Sequence, residues 1–340
     1  MVPAWRVVTT ILVVSLVAGC GGGSGDSSGA APAPAASTAP ATTAAPAALT
    51  AEPAGAVPSV SVADRGGKRL EIGGNPDYVA ATADGLWVKT DGGDLVRIDP
   101  DTTKPGEPLH VADALCQGLG TDDQTVWTCA GETGQVSRID PAAGKVAATV
   151  EAAKINVQTR VPVAFGHAWF LVDDGSKVVG VANDAVAKRI ELGTVCTDLA
   201  ATATAIWAAC PTEGLALRID PASGEVTART PGMPGANTLD AGEHVWVGFT
   251  NGLAKLDDAS GEVLGVADAS PGNVGGIAVT PDAVWVRTDG RFLRHVDPAT
   301  AKVVEDVTAP EQSGGSVVVA FGSVWATASD DDTLYRLDPS

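Results

Sequence analysis

The chain has 340 residues, 45% of them hydrophobic and 4% aromatic, and carries 41 Asp and Glu against 22 Lys and Arg for a net charge of −19. Nucleic acid requires a basic face, so this balance excludes it as a partner, and it excludes attachment to an anionic bilayer by charge. Cations and basic proteins are left as candidates.

Taken in order, Arg6 precedes an apolar run over residues 7–18 that is too short to span a bilayer comfortably. Residues 1–20 read as an export signal. Val17-Ala18-Gly19-Cys20 resembles the lipobox of bacterial lipoproteins, with small residues before the cysteine. That resemblance implies cleavage before Cys20 and its lipidation, with acyl chains such as palmitate holding the protein on the extracytoplasmic side of the cell membrane. Two or more chains, at about 0.8 kcal/mol per buried CH₂, make a durable anchor. Residues 21–58 are low in complexity, GGGSGDSSG and then Ala, Pro and Thr. They have little to bury and are expected to form a disordered linker, roughly 35 Å end to end as a coil.

Short strands begin near residue 59. Trp87, Trp127, Trp169, Trp207, Trp246, Trp285 and Trp325 stand 38 to 42 residues apart. A period near 40 with several strands per unit, as in VWTCAGETGQVSRIDPAAGKVAATV at 126–150, predicts an all-β, seven-bladed β-propeller over residues 59–340. The tryptophans lie in apolar runs and are expected to pack blade on blade. Each is followed by a run like Arg-Ile-Asp-Pro, at 97–100, 138–141, 218–221, 255–258, 295–298 and 336–339, while Gly180-Val181-Ala182-Asn183 departs from it. Asp-Pro followed by a small pair and Gly is turn chemistry, so these aspartates are expected to accept from nearby N–H groups rather than to catalyse. The last unit stops at Ser340 without a fourth strand. Residues 67–72 resemble the fourth strands at 144–150 and 301–307 and are predicted to complete that blade and close the ring.

Cys116 and Cys196 each precede a repeat Trp by 11 residues, and Cys129 and Cys210 follow it by two and three. In an exported domain this register predicts disulfides Cys116–Cys129 and Cys196–Cys210 in blades two and four, although sequence alone leaves other pairings open. There is no CxxC and no His beside any Cys, so no metal site is assigned.

Propellers usually bind ligands on the face carrying the fourth-to-first and second-to-third strand loops. Offsets from each Trp place Asp77, Tyr78, Gln117, Gln158, Arg160, Asp198 and Asn237 there, with Asn273 nearby. Apart from Gln158, these are the candidate ligand-binding residues. Asp91, Asp94, Glu132, Asp173, Asp174, Glu213, Asp289 and Asp330-Asp331-Asp332 would add an acidic rim. Such a mouth suits a cationic or polyhydroxylated ligand or a basic partner. Carboxylates also permit a divalent cation, but no DxDxDG loop stands here, and no cofactor is expected. His167 and His244 fall in turns away from the mouth, His295 in a third strand and His110 at the end of a fourth. They do not converge, and no GxSxG, HExxH or phosphate loop appears, so no catalytic residue is assigned.

The pattern W-V…V-x-R-I-D-P-x-x-G-K-V, over about 280 residues, resembles the YVTN and streptogramin-lyase-like (virginiamycin B lyase) propellers. The lyase resemblance implies opening of a cyclic depsipeptide by a His and paired carboxylates with Mg²⁺. No His matches on the mouth face, so those roles are not carried over. The runs IDPAAGKV and IDPASGEV also resemble quinoprotein repeats, AxDxxTGxxxW, without their docking Trp. WD-repeat propellers are less similar, because the WD dipeptide is missing. The expectation is a lipid-anchored, monomeric cell-envelope propeller that binds a small ligand or an envelope protein without catalysis. The alternative is a streptogramin-lyase-like or quinone-dependent enzyme.

Overall fold

The computed structural model describes residues 46–130, 133–155, 160–272, 275–288, 290–310 and 313–339. Cys20 lies outside the described residues, as do Glu132, Gln158, Asn273 and Asp289. The described residues form seven β-sheets, the blades of a propeller, with neighbouring inner strands in contact around a ring. Blade 4 shows the plan. Asp198–Ala201 lies innermost, followed outward by Ile206–Cys210, Leu215–Ile219 and Val226–Pro231 in antiparallel order. The other inner strands are Pro76–Thr82, Leu119–Thr121, Val163–Ala164, Thr238–Ala241, Ile277–Val279 and Val317–Ala320. Second strands such as Val126–Ala130, Ile206–Cys210 and Val245–Phe249 are buried at every residue. Neighbouring blades cover both their faces, which is why they read as unbroken apolar runs. Outer strands such as Lys145–Glu151 are covered on one face, and their burial alternates.

Each repeat Trp packs onto the next blade. Trp87 joins Leu119 and Val126, Trp127 joins Phe170, and Trp169 joins Leu199 and Ile206. Trp207 meets Leu239 and Val245, Trp246 meets Ile277 and Val284, and Trp285 meets Val317 and Val324. Trp325 packs on Val79 and Leu86 of blade 1 and so completes the circuit. An indole of this size, wholly buried, contributes several kcal/mol at each seam.

The Arg-Ile-Asp-Pro run divides its labour. The Asp carboxylate accepts backbone N–H groups two or three residues on. Asp99 takes Asp101 and Thr102, Asp140 takes Ala143, Asp220 takes Ala222 and Ser223, Asp257 takes Ser260, and Asp297 takes Ala299. These donated hydrogen bonds, preceded at Asp257 by that of the Ser260 hydroxyl, hold the carboxyls of Asp99, Asp220, Asp257 and Asp297 below the usual carboxylate range. Arg97 of blade 1 pairs with Asp84 of its own blade at 3.0 Å, but elsewhere the basic residue reaches forward to the next blade. Arg218 Nε donates to the Asp258 carbonyl at 2.6 Å, Lys255 Nζ to Pro298 at 2.8 Å, and Arg336 Nη1 to Pro100 at 3.1 Å. Lys188, on the outer strand of blade 3, does the same to Pro221 at 2.7 Å. Arg138 pairs with both carboxylate oxygens of Asp184, at 2.8 and 3.0 Å. Asp184 sits with Asn183 in a two-residue turn, both at positive φ, where blade 3 lacks the motif. In blade 6 a His295 replaces the Arg, and Arg65 from the N-terminal segment fills the role. Its guanidinium pairs with Glu305, lies 5.5 Å from the Trp285 ring centroid, and donates to the Asp338 carbonyl of blade 7.

The start of the chain also differs from a free linker. Residues 46–58, expected to be disordered, run along blades 4 to 6. Leu49 N donates to Gly232 O at 2.7 Å, and its side chain packs against the blade 4–5 core. Ala54 N donates to Asp268 Oδ2 at 2.9 Å, and Ala54 and Val57 pack on the blade 5–6 core. The few apolar side chains of this low-complexity stretch find apolar seams to cover, which composition alone did not indicate. Ser59–Ser61 then adds to blade 6 as a fifth, parallel strand on Lys302–Thr308. Lys68–Glu71 pairs antiparallel with Thr333–Leu337 as the outer strand of blade 7.

The disulfides are Cys116–Cys129 and Cys196–Cys210, with Cα–Cα distances of 5.3 and 3.8 Å. Cys116 and Cys196 lie just before the inner strands, so each bridge pins a mouth-side loop to a second strand. All four are buried.

Candidate functional site

The mouth loops enclose a cavity of about 290 Å³. Asp77 and Tyr78 lead the inner strand of blade 1, and Gln117 precedes that of blade 2. Asn237 and Thr238 lead blade 5, and Ser316 leads blade 7. Four of the expected residues, Asp77, Tyr78, Gln117 and Asn237, thus come together. From the second-to-third loops come Asp91 in blade 1 and Ser329 and Asp330 in blade 7. The remaining wall is backbone, supplied by Gly275, Gly276, Gly314 and Gly315. Gly275 and Gly315 form a parallel bridge between blades 6 and 7. A Cβ at Gly275 would run into the carbonyl oxygens of Arg287 and Pro271, so only glycine permits this approach.

The charge of the lining is acidic. Lys89, 2% exposed, sits 3.2 Å from Asp77 Oδ2 and 3.6 Å from Asp91 Oδ1 and offsets one carboxylate. Asp330 lines the cavity from the neighbouring blade 7. Asn237 Nδ2 donates to the Gly272 carbonyl at 2.9 Å, but its Oδ1 is buried with no hydrogen-bond partner. A buried acceptor left this way costs about 1–3 kcal/mol.

Arg160 and Asp198 lie deeper than the mouth. Arg160 crosses the central channel from blade 3. Its Nη1 meets Asp240 Oδ1 of blade 5 at 2.8 Å, and its Nη2 donates to the Ile277 carbonyl of blade 6 at 2.6 Å. Burial alone would lower the guanidinium, but Asp240, Tyr78 and Asp198 hold it above its ordinary value. Burial pushes the Tyr78 phenol up, so it stays neutral. Together these groups divide the channel into a mouth half and an exit half. Asp198 is fully buried and joins blades 4 and 5, accepting from Thr238 Oγ1 and Leu239 N, both at 3.0 Å. Asp240 repeats this one blade on by accepting Val279 N at 2.9 Å.

The rim carboxylates are dispersed. Asp94 accepts from the His110 ring at 2.8 Å, Asp173 pairs with Lys177, Asp331 accepts Ser313 Oγ, and Asp332 accepts Asn75 N. No three His, Cys, Asp or Glu side chains among the described residues come together to hold a metal ion. His295 stacks on Trp285 with ring centroids 4.6 Å apart. His167 and His244 stand beside the turns that follow the inner strands, away from the mouth. The glycine doublets were missed in the sequence. They stand at the same offset before Trp285 and Trp325 as Asp77 before Trp87, and that offset could have found them.

No protein-family model matches the sequence, and no curated protein is similar to it. Solved structures share its fold. Virginiamycin B lyase from Staphylococcus aureus superposes with a TM-score of 0.65 at 15% identity, over 81% of this chain and 99% of that one. BamB from Moraxella catarrhalis gives 0.59 at 13% identity, over 80% and 98%. The WD40 propeller domain of Doa1 gives 0.69 at 13%, over 80% and 96%. Identities this low establish the seven-bladed propeller and nothing about activity.

Proposed function

We propose that this protein is a lipid-anchored propeller of the cell envelope that binds, without catalysis, a donor-rich ligand at its mouth. The ligand is a compact cation, a polyhydroxylated molecule, or a basic side chain of an envelope partner. The observation that carries this reading is a cavity that gathers the carboxylates of Asp77, Asp91 and Asp330 beside the Asn237 side chain, with Lys89 against two of them. The pocket is rich in carboxylate acceptors, and among its described lining residues there is no His or Cys to act as base or nucleophile. The anchor rests on the lipobox-like Val17-Ala18-Gly19-Cys20.

A thermal-shift screen with a polyamine, sugars, divalent metals, pyrroloquinoline quinone and a cyclic depsipeptide tests the site. A ligand at 100 times its Kd adds about 2.7 kcal/mol of stability. The expected result is a saturable shift with a polyamine or sugar that Asn237→Ala and Asp77→Asn weaken. A shift with the quinone, or ring opening of the depsipeptide seen by mass spectrometry, would establish the enzyme alternative instead. Palmitate labelling that survives Cys20→Ala would overturn the anchor.

A further inference from the structure

The seam between blades 4 and 5 and the seam between blades 5 and 6 are built on the same repeat but end differently. In the first, Asp258 of blade 5 turns its carboxylate back onto blade 4. It accepts from Trp207 Nε1 at 2.8 Å and from the hydroxyls of Thr202 and Thr204. In the second, Pro298 occupies the place of Asp258, and Ala241 and Glu243, counted back from Trp246, replace the two threonines. Lys255 stands for Arg218 and makes the same forward reach, donating to the Pro298 carbonyl at 2.8 Å. What Pro298 cannot supply is the carboxylate. The seam instead holds a cavity of about 480 Å³ on the face away from the mouth, lined by His244, Trp246, Lys255 and Pro298 among others.

The donors on this wall lack an acceptor of matching charge. Lys255 is 9% exposed, and among the described residues no carboxylate pairs with its ammonium, whereas Lys89, also buried, has both Asp77 and Asp91. A cation withdrawn this far from water is normally paired, because the lost hydration is otherwise uncompensated. The Lys255 ammonium lies 5.9 Å from the Trp246 ring centroid and gives one of its three protons to Pro298, so two remain for an incoming anion. Trp246 Nε1 has no acceptor among the described residues, while Trp169, Trp207 and Trp325 each have one. His244 borders the same space, with its Nδ1 buried and unpartnered. Three carboxylates also line the cavity. Asp297 is engaged by Ala299 N and Thr300 Oγ1 of its own turn. Glu243 and Asp282 are exposed at the rim, where they oppose a second negative charge and attract a positive one.

We propose that the cavity between blades 5 and 6 is a second binding site, for a zwitterion of amino-acid or short-peptide type. The ligand carboxylate sits against Lys255 and Trp246, as the Asp258 carboxylate sits on blade 4, and its ammonium is turned toward Glu243 and Asp282. The test is titration of the purified full chain with L-alanyl-L-alanine, followed by nuclear magnetic resonance of nitrogen-labelled tryptophan indoles. Trp246→Phe identifies the Trp246 signal. The expected result is a saturable shift of that signal, absent with the dipeptide's C-terminal amide and weaker with its N-acetyl form. Lys255→Met removes the countercharge and should weaken binding by at least about tenfold. Pro298→Asp supplies the carboxylate from the chain itself, and should move the Trp246 signal without ligand and block any further shift. Asp77→Asn, at the mouth, should leave the titration unchanged. Circular dichroism confirms the fold of each variant, and if one fails to fold the other carries the comparison. The proposal would be overturned by the absence of a saturable shift in the unsubstituted protein, by an equal shift with the amide or the N-acetyl form, or by undiminished binding in folded Lys255→Met or Pro298→Asp.

Discussion

Asp258 offers the sharpest test of how the blades are joined. It occupies the place where the other turns carry Pro and holds three donors of blade 4. Thr202 Oγ1 lies at 2.9 Å, Thr204 Oγ1 at 2.6 Å and Trp207 Nε1 at 2.8 Å. Trp207 is fully buried and Thr202 is 8% exposed. Replacing Asp258 by Ala leaves Trp207 Nε1 without an acceptor and Thr202 Oγ1 with only the Ala205 carbonyl, 3.4 Å away, at about 1–3 kcal/mol for each donor. Thr204 is exposed and can turn to water. The expected loss is therefore about 3–4 kcal/mol, or about 6–10 °C in a domain of this size. Asp258→Asn keeps one oxygen and should lose about half as much. Urea unfolding followed by tryptophan fluorescence measures both. A Trp207→Phe background removes one donor, so Asp258→Ala should cost at least about 1 kcal/mol less there. A loss below about 1 kcal/mol, or no coupling to Trp207, would refute the hydrogen-bonded seam.

Three further outcomes follow from the same geometry. Burial and, after it, the Arg65 guanidinium hold His295 below its ordinary value, with Glu305 and Asp297 acting in the opposite sense. The unfolded chain therefore takes up this proton first, so stability falls as pH drops through about 6.5. His295→Gln should lose less melting temperature than the parent between pH 7.5 and 5.5. Asp240→Ala strips Arg160 of its carboxylate inside the channel, and chemical denaturation should show a loss of about 2–4 kcal/mol, beyond that of Arg160→Met. Deleting residues 46–58 removes the contacts of Leu49, Ala54 and Val57 but no blade strand. It should lower the melting temperature by several degrees with one cooperative transition kept, whereas extending the deletion through residue 72 should abolish that transition.

The sequence was most legible where one residue does one local job. The tryptophan period revealed the blades because an indole at each seam cannot be replaced by smaller side chains without a void. The capping role of Asp140 or Asp220 was readable because its partners lie two or three residues away. The forward reach of Arg218 and Arg336 was not, since their acceptors belong to another repeat. The mouth was partly legible. Fixed offsets from Trp brought Asp77, Tyr78, Gln117 and Asn237 to one cavity, but the same offset gave no warning that Asp198 would turn inward to Thr238. Gly275 and Gly315 escaped notice because they contribute bare backbone, which has no chemical signature in a sequence.

The N-terminal segment has a consequence for the order of events at birth. Residues 49–71 leave the ribosome before any blade, yet their partners lie between Gly232 and Asp338. The last seam waits for Arg65 to meet Glu305 and Asp338. The clamps made by Arg138, Lys188, Arg218 and Lys255 point forward, so early blades can associate in turn as they appear, and Arg336 reaching Pro100 of blade 1 ends the series. An emerging chain thus carries an open edge until its final residues are free. Folding is committed only once blade 7 is available, and the long sequence separation of the closing contacts makes that step slow. Such a molecule is assembled like a hoop, whose strength arrives all at once with the final rivet.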